Sequence, residues 1–332
     1  MTTLKKCLGC LSGITVGITG LYLYSHNVHH QSLRSLILDR AMRVLGFRQW
    51  QALMKQYPQK SERLLRHTNK REHLISAWRI GLKGKQSRIG EMQVMKWHLP
   101  DSHHERAILY LHGGGYIMGA TPFHFDFIHD MMRGTRSDII YPIYFKAPSY
   151  TYHDSIGPLI QLYQDLVLEY GTENLFVMGD SAGGGLAMSL LMTLRDQGVS
   201  MPQHLILISP WLDMIMDHPE YHQYDQRDPF LNYHAMQVIG RYWAGEGNDL
   251  ASPAYSPING QFAGLPPIYC VAGTYDLLYV DTQRLQEKLQ ACQHPHLIRY
   301  GERMNHIYPI LPVREALFIR REICAIINGN KF

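Results

Sequence analysis

From about Gly90 onward, short runs of apolar, β-branched and aromatic residues alternate with longer stretches whose apolar positions recur every three or four residues. The short runs predict strands at Met92–His98, Ala107–His112, Asp138–Tyr144, Asn174–Gly179, His204–Ser209, Pro267–Gly273 and His296–Tyr300. The longer stretches predict helices near Phe123–Gly134, Ser155–Tyr170, Gly183–Gln197, Asp281–Ala291 and Pro312–Asn328. This alternation predicts an α/β fold, a mainly parallel central sheet with helices on both faces. The run Asn174–Gly179 is apolar almost throughout, as a central strand buried on both faces requires. In such sheets ligands bind at the carboxyl ends of the strands.

Before Gly90 the texture differs. Between Gln31 and about Ser87, Leu33, Leu36, Ile37, Met42, Leu45, Leu53 and Met54 recur at helical spacing, and Pro58 interrupts the run. Residues 25–89 are therefore expected to form a helical cap region and 90–332 the α/β domain, with a cap insertion at about 213–245. Residues 1–24 contain an uncharged apolar stretch, Cys7–Tyr24, preceded by Lys5 and Lys6. Its 18 residues reach the short end of a membrane span, which needs about 17–25. A cleaved signal should end in a small-x-small site, and Leu23-Tyr24-Ser25-His26-Asn27 matches this poorly. The expectation is a membrane-associated protein held by an uncleaved N-terminal anchor. Cleavage to a secreted or periplasmic form, and a cytoplasmic chain with a plain N-terminal helix, remain as alternatives. Gly9, Gly13 and Gly17 would present one smooth helix face, suited to pairing in a homodimer. Lys5 and Lys6 on one side and Arg34, Arg40 and Arg43 on the other leave the orientation open.

Composition narrows the class. A hydrophobic fraction of 45% against 18% charged residues supports a sizeable core and excludes a disordered chain. Lys and Arg exceed Asp and Glu by 32 − 28 = 4, without basic runs, so no nucleic-acid partner is expected. Five cysteines are too few and too scattered for a disulfide scaffold or a zinc site. No metal is expected.

Two glycine-containing segments carry the chemistry. Gly179-Asp180-Ser181-Ala182-Gly183 fits G-x-S-x-G, directly after the apolar strand and at the head of a small-residue helix. That context displays Ser181 at a tight turn, where a helix N-terminus favours developing negative charge. His112-Gly113-Gly114-Gly115-Tyr116 follows the strand ending at His112. Its consecutive glycines leave backbone N–H groups free to meet a carbonyl oxygen, as an oxyanion hole does. A phosphate-binding loop would end in Lys-Ser/Thr, which is absent. A serine hydroxyl needs a base, and the base an orienting acid. Asp276, just after the strand Pro267–Gly273, has the place of the acid. Asp281 is its rival and is expected instead to cap the helix beginning at Thr282. His306, in the loop beyond the last strand, has the place of the base.

These segments resemble the hormone-sensitive-lipase-like branch of the α/β-hydrolases, the bacterial family IV esterases with an HGGG loop and a GDSAGG elbow. The resemblance runs from about residue 90 to 325. It includes Tyr144-Phe145-Lys146-Ala147-Pro148, Ser209-Pro210-Trp211-Leu212-Asp213, Asp228-Pro229-Phe230-Leu231, Ser252-Pro253 with Ser256-Pro257, and Gly264-Leu265-Pro266-Pro267. It implies an α/β-hydrolase fold, with Ser181 as nucleophile, Asp276 as acid and His306 as base. It also implies oxyanion donors at Gly114, Gly115 and Ala182, with His112 and Gly113 supporting the loop. Neither cofactor nor metal is implied. Many relatives carry Asp-Pro-Leu at the acid, where this chain has Asp276-Leu277-Leu278. The implied function is a serine carboxylesterase acting on short- to medium-chain esters. The same triad would also serve a lactone or amide hydrolase, and the fold also supports non-catalytic ligand binding. Gln31–Arg66 and the insertion Asp213–Trp243 are expected to cap the site. Tyr221, His222, Tyr224, Phe230, Tyr233, His234, Tyr242 and Trp243 would wall an apolar group or pack the cap onto the sheet.

Overall fold

A central strand with every side chain buried, β5 (Leu175–Asp180), organises the molecule. It lies between β3 (Ala107–Leu111) and β6 (His204–Ile208), both parallel to it. The computed structural model describes residues 31–44, 48, 56, 58–69, 84–100 and 105–330. The apolar stretch Cys7–Tyr24, its glycine face, Leu45, Leu53 and Met54 lie outside the described residues.

Eight strands form one sheet in the order β1-β2-β4-β3-β5-β6-β7-β8. β1 (Gly84–Ile89) and β2 (Met92–Trp97) form an antiparallel hairpin at one edge, and β2 pairs antiparallel with β4 (Asp138–Ile143). From β4 to β8 (His296–Gly301) every pairing is parallel, with β7 (Ile268–Gly273) between β6 and β8. The seven expected strands form within about a residue of their predicted ends. β1 was not expected. Its sequence Gly-Lys-Gln-Ser-Arg-Ile is polar and its residues are largely exposed, so no alternating pattern marks it. The helical character expected up to Ser87 thus gives way to strand from Gly84.

Helices cover both faces. α1 (Leu33–Val44) and α2 (Pro58–Asn69) come from the N-terminal region. Pro58 opens α2, where its missing N–H has no intrahelical partner to lose. α3 (Pro122–Thr135) and α9 (Ala316–Ile327) pack together against one face, around Ile108, Tyr110, Phe176 and Ile206. α4 (Tyr152–Tyr170) and α5 (Ala182–Asp196) cover the other, around Leu109, Val177 and Leu207. The alternation of these side chains between two cores is the two-residue period of a strand buried on both sides. The insertion supplies α6 (Tyr221–Asp225) and α7 (Tyr233–Ala244), and α8 (Tyr279–Ala291) follows β7. Tyr221, Tyr224, Tyr233 and Trp243 are buried in the core under the cap, while His222 and His234 face solvent. Phe230 and Tyr242 are partly buried against the same core, so six of the eight expected residues serve packing. Among the described residues no helix is long and apolar enough to cross a membrane.

The chain turns from β3 to β4 on one side and continues from β5 through β8 on the other. The strand order reverses between β3 and β5, and the crevice of such a fold opens there, at the carboxyl ends.

Candidate active site

Both glycine-containing segments sit at that crevice. After β5 the chain enters a sharp turn with Ser181 at φ 52° and ψ −123°. Positive φ is costly for a residue with a Cβ and persists only where the surroundings enforce it. Here the N–H of Ser181 donates to the Ile208 carbonyl, and its own carbonyl accepts from Gly184, Gly185 and Trp211. A Cβ at Gly183 would run into the backbone carbonyl of Leu111. Only glycine lets α5 begin this close to β3.

The loop after β3 is built around three consecutive residues at positive φ, Gly114 at 119°, Gly115 at 60° and Tyr116 at 59°. His112 stacks on Tyr144 with ring centres 4.6 Å apart, and Tyr144 donates its hydroxyl to the His112 carbonyl at 2.7 Å. The Nδ1–H of His112 donates to the Gly113 carbonyl at 2.5 Å. Burial and the neighbouring Lys146 push the His112 imidazole down to about 3, so the ring is neutral and supports the loop. Among the described residues, the N–H groups of Gly114, Gly115 and Ala182 have no backbone acceptor in the loop or at the helix start. They are therefore free to meet a substrate oxygen.

The remaining side chains come from the ends of β7 and β8. Asp276 lies in the turn leading to α8 and is fully buried. His306 lies in the loop beyond β8 and is 3% exposed. That loop is latched by Arg303 N–H to Thr274 Oγ1 at 2.7 Å, by Tyr275 N–H to the Met304 carbonyl, and by Ile307 N–H to Ser209 Oγ at 3.1 Å. The Nδ1–H of His306 donates to both Asp276 oxygens, each at 3.0 Å. Nε2 is left to accept the Ser181 hydroxyl, with the atoms 2.9 Å apart. Desolvation alone would lower the His306 pKa. The Asp276 charge and hydrogen bond, helped by Asp228 and Asp180, outweigh it and raise the pKa overall. A hydroxyl, an imidazole and a carboxylate in this relation can deliver an alkoxide to a carbonyl carbon without ever isolating it.

Three buried residues here stand in segments the sequence reading quoted, but it gave them no role. Asp180 accepts from Tyr110 Oη, Gly113 N–H and His124 Nε2. Its trace in the sequence was its place beside Ser181 in the elbow segment. Ser209, at φ 46°, holds the peptide after His306. Asp228 holds the peptide after Asp276. The expectation for Asp281 is corrected. α8 starts at Tyr279, so Asp281 lies inside its first turn and caps nothing. Its carboxylate instead accepts the N–H groups of Leu212 and Asp213 and the Tyr221 hydroxyl, all buried. Among the described residues no group of His, Cys, Asp and Glu is arranged to hold a metal ion.

A family model for the α/β-hydrolase fold matches residues 108–310. Among curated proteins the chain is similar to an esterase of Acinetobacter venetianus, 28% identical over 55% of this chain and 61% of that protein. It thus aligns with less than two thirds of that esterase. An acetyl-hydrolase of Streptomyces hygroscopicus is 28% identical over 65% of this chain and 74% of its own. A Staphylococcus aureus structure solved as a candidate esterase superposes with a TM-score of 0.79 at 27% identity, covering 84% of this chain and 94% of that one. EstE5, in a crystal soaked with p-nitrophenyl butyrate, gives a TM-score of 0.70 at 26% identity, covering 80% of this chain and 89% of that one.

Proposed function

The chain belongs to the α/β-hydrolase-fold family, and on that premise we propose that it is a serine carboxylesterase of the hormone-sensitive-lipase-like branch, acting on short- to medium-chain esters. The observation that carries this reading is the 2.9 Å approach of His306 Nε2 to Ser181 Oγ, beside the free N–H groups of Gly114, Gly115 and Ala182. His306 takes the hydroxyl proton as Ser181 Oγ bonds to the ester carbonyl carbon. The carbonyl electrons move to oxygen, where the three N–H groups stabilise the oxyanion. Collapse of this intermediate expels the alcohol, which receives the proton from His306. A water then repeats the sequence on the acyl-serine and releases the acid. Asp276 stabilises the imidazolium formed in each half. The relatives described as esterases and as an acetyl-hydrolase support an ester substrate with a small acyl group. Hydrolysis of p-nitrophenyl esters of increasing acyl length tests the assignment. Turnover should be greatest for short chains and fall as the chain lengthens. Turnover of amides in preference to every ester would overturn it.

The same proposal places the protein at a membrane through residues 7–24, with pairing of two copies through Gly9, Gly13 and Gly17. What supports it is a stretch without charge and of near-spanning length. Removal of residues 1–24 should release the protein from the membrane fraction while leaving ester hydrolysis intact. Recovery of the full chain in the soluble fraction would contradict it.

A further inference from the structure

The turn that carries Asp276 is held by a second buried carboxylate with no part in the proton transfers above. Asp228 lies in the insertion, between α6 and α7, and is completely buried. Its Oδ1 accepts the N–H groups of Phe230 at 2.7 Å and Leu231 at 3.0 Å, closing its own loop. Its Oδ2 accepts the N–H of Leu277 at 2.7 Å. Leu277 directly follows Asp276, and the next N–H, that of Leu278, donates to Asp276 Oδ1 at 2.8 Å. The peptide after Asp276 is thus fixed from the insertion, and the following one by Asp276 itself.

We propose that Asp228 is a positioning residue for the triad: it fixes the Asp276 turn from the cap insertion and adds a second negative charge to the surroundings of His306. The inference rests on Ser181, His306 and Asp276 being the triad. A buried charge next to a catalytic pair acts twice. Its hydrogen bonds set where the acid sits, and its field favours the imidazolium that forms at each transfer. The groups around it support this. Asp276 and His306 face it from the turns after β7 and β8, and Asp180 adds to the field at His306 from the end of β5. On its own loop Asp225 is paired with Arg48, whose guanidinium also donates to the Asp228 carbonyl at 3.2 Å. Arg227 is turned toward the Tyr224 ring. Burial and the Asp276 charge push the Asp228 carboxyl up to about 6. A residue that merely closed its own loop would need one oxygen only, whereas the second oxygen of Asp228 reaches the Leu277 N–H outside that loop.

The test compares Asp228→Asn with the parent in the full chain, using p-nitrophenyl acetate and recording kcat and KM along the acidic limb of the pH profile. Asparagine loses the charge and at least one set of N–H contacts. The expected result is a fall in kcat of about tenfold to a hundredfold with KM little changed. The acidic midpoint should move to lower pH, because His306 loses a stabilising negative neighbour. In an Asp276→Asn background the same change should cost less than in the parent, since the part that acts through Asp276 is already lost and only the direct effect on His306 remains. An unchanged kcat and midpoint would overturn the proposal, as would a loss of activity with an unmoved midpoint. Should the variant not fold, the parent decides. The downfield proton resonance of His306 Nδ1–H should show two inflections with pH, its own and one from Asp228, and a single inflection overturns the proposal. A Ser181→Ala control that still turned over substrate would instead reject the triad itself.

Discussion

Asp180 Oδ1 accepts the N–H of Gly113 at 2.9 Å, joining the nucleophile turn to the oxyanion loop across 67 residues of sequence. The same carboxylate accepts Tyr110 Oη at 2.6 Å and His124 Nε2 at 3.1 Å. His124 Nδ1 accepts the N–H of Thr121, so Nε2 carries the proton given to Asp180. Burial pushes the Asp180 pKa up, but His124 and the other two donors outweigh it and hold the carboxyl below its ordinary value. Asp180→Asn should misplace Gly114 and Gly115 and lower kcat by about 10²–10³-fold, the scale of losing one oxyanion donor. Tyr110→Phe removes one of three donors. It should cost about 1 kcal/mol of stability, measured by denaturant unfolding, with a smaller loss of rate.

As the proposed base, His306 must be neutral to take the serine proton. Because the His306 pKa is raised in the fold, the acidic limb of kcat/KM should have its midpoint above the ordinary histidine value of about 6.5. The same group stabilises the fold fully below that value, and the contribution disappears as pH rises through the folded pKa. A kcat/KM profile with its acidic midpoint below the ordinary value would contradict the cause assigned here.

Asp281 gives a separate pH signature. Burial and the neighbouring Asp213 push its carboxyl up to about 7. The folded protein therefore binds a proton that the unfolded chain releases between about pH 4 and 7. This contribution is full below the unfolded value and falls as pH rises through the folded one. Asp281→Asn can keep the Leu212, Asp213 and Tyr221 contacts and should flatten that part of the stability profile. Asp281→Leu leaves two buried N–H groups unpaired, at about 1–3 kcal/mol each. Thermal unfolding across that pH range separates the two variants.

Trp243, on α7, stacks on Tyr116 with ring centres 4.1 Å apart and planes within 5°. Tyr116 belongs to the oxyanion loop, so the cap helix presses on the catalytic face through this pair. Trp243→Ala should cost about 3–5 kcal/mol by leaving a cavity. It should also lower kcat on short esters, because the loop loses its support. Unfolding midpoints and steady-state rates check both.

The three side chains that the structure brings together were legible because each marks a local pattern. Ser181 sits between a buried strand and a small-residue helix, and Asp276 and His306 follow strands whose order in the chain sets their roles. The glycines of the oxyanion loop were legible for the same reason. What was hidden depends on contacts between distant segments. Asp228 meets Leu277 across 49 residues, and Ser209 meets Ile307 across 98. Neither pairing leaves a periodicity. Strand β1 was missed because an exposed edge strand next to a hairpin turn needs no apolar face. Asp281 misled because an acidic residue near a helix start reads as a cap unless the start is known to a residue, and α8 begins two positions before it. The buried tyrosines of the insertion were legible as aromatic but not as cap core, since burial depends on the helices packed around them.

The most direct test of the account is the hydrolysis of p-nitrophenyl acetate by the parent and by Ser181→Ala, both shown to be folded. The account predicts turnover by the parent and a fall of about 10⁵–10⁶-fold in kcat for the variant, leaving only the weak catalysis of the oxyanion hole and binding. Equal turnover by the two would contradict it, because the bond to the acyl group would then form elsewhere than at Ser181.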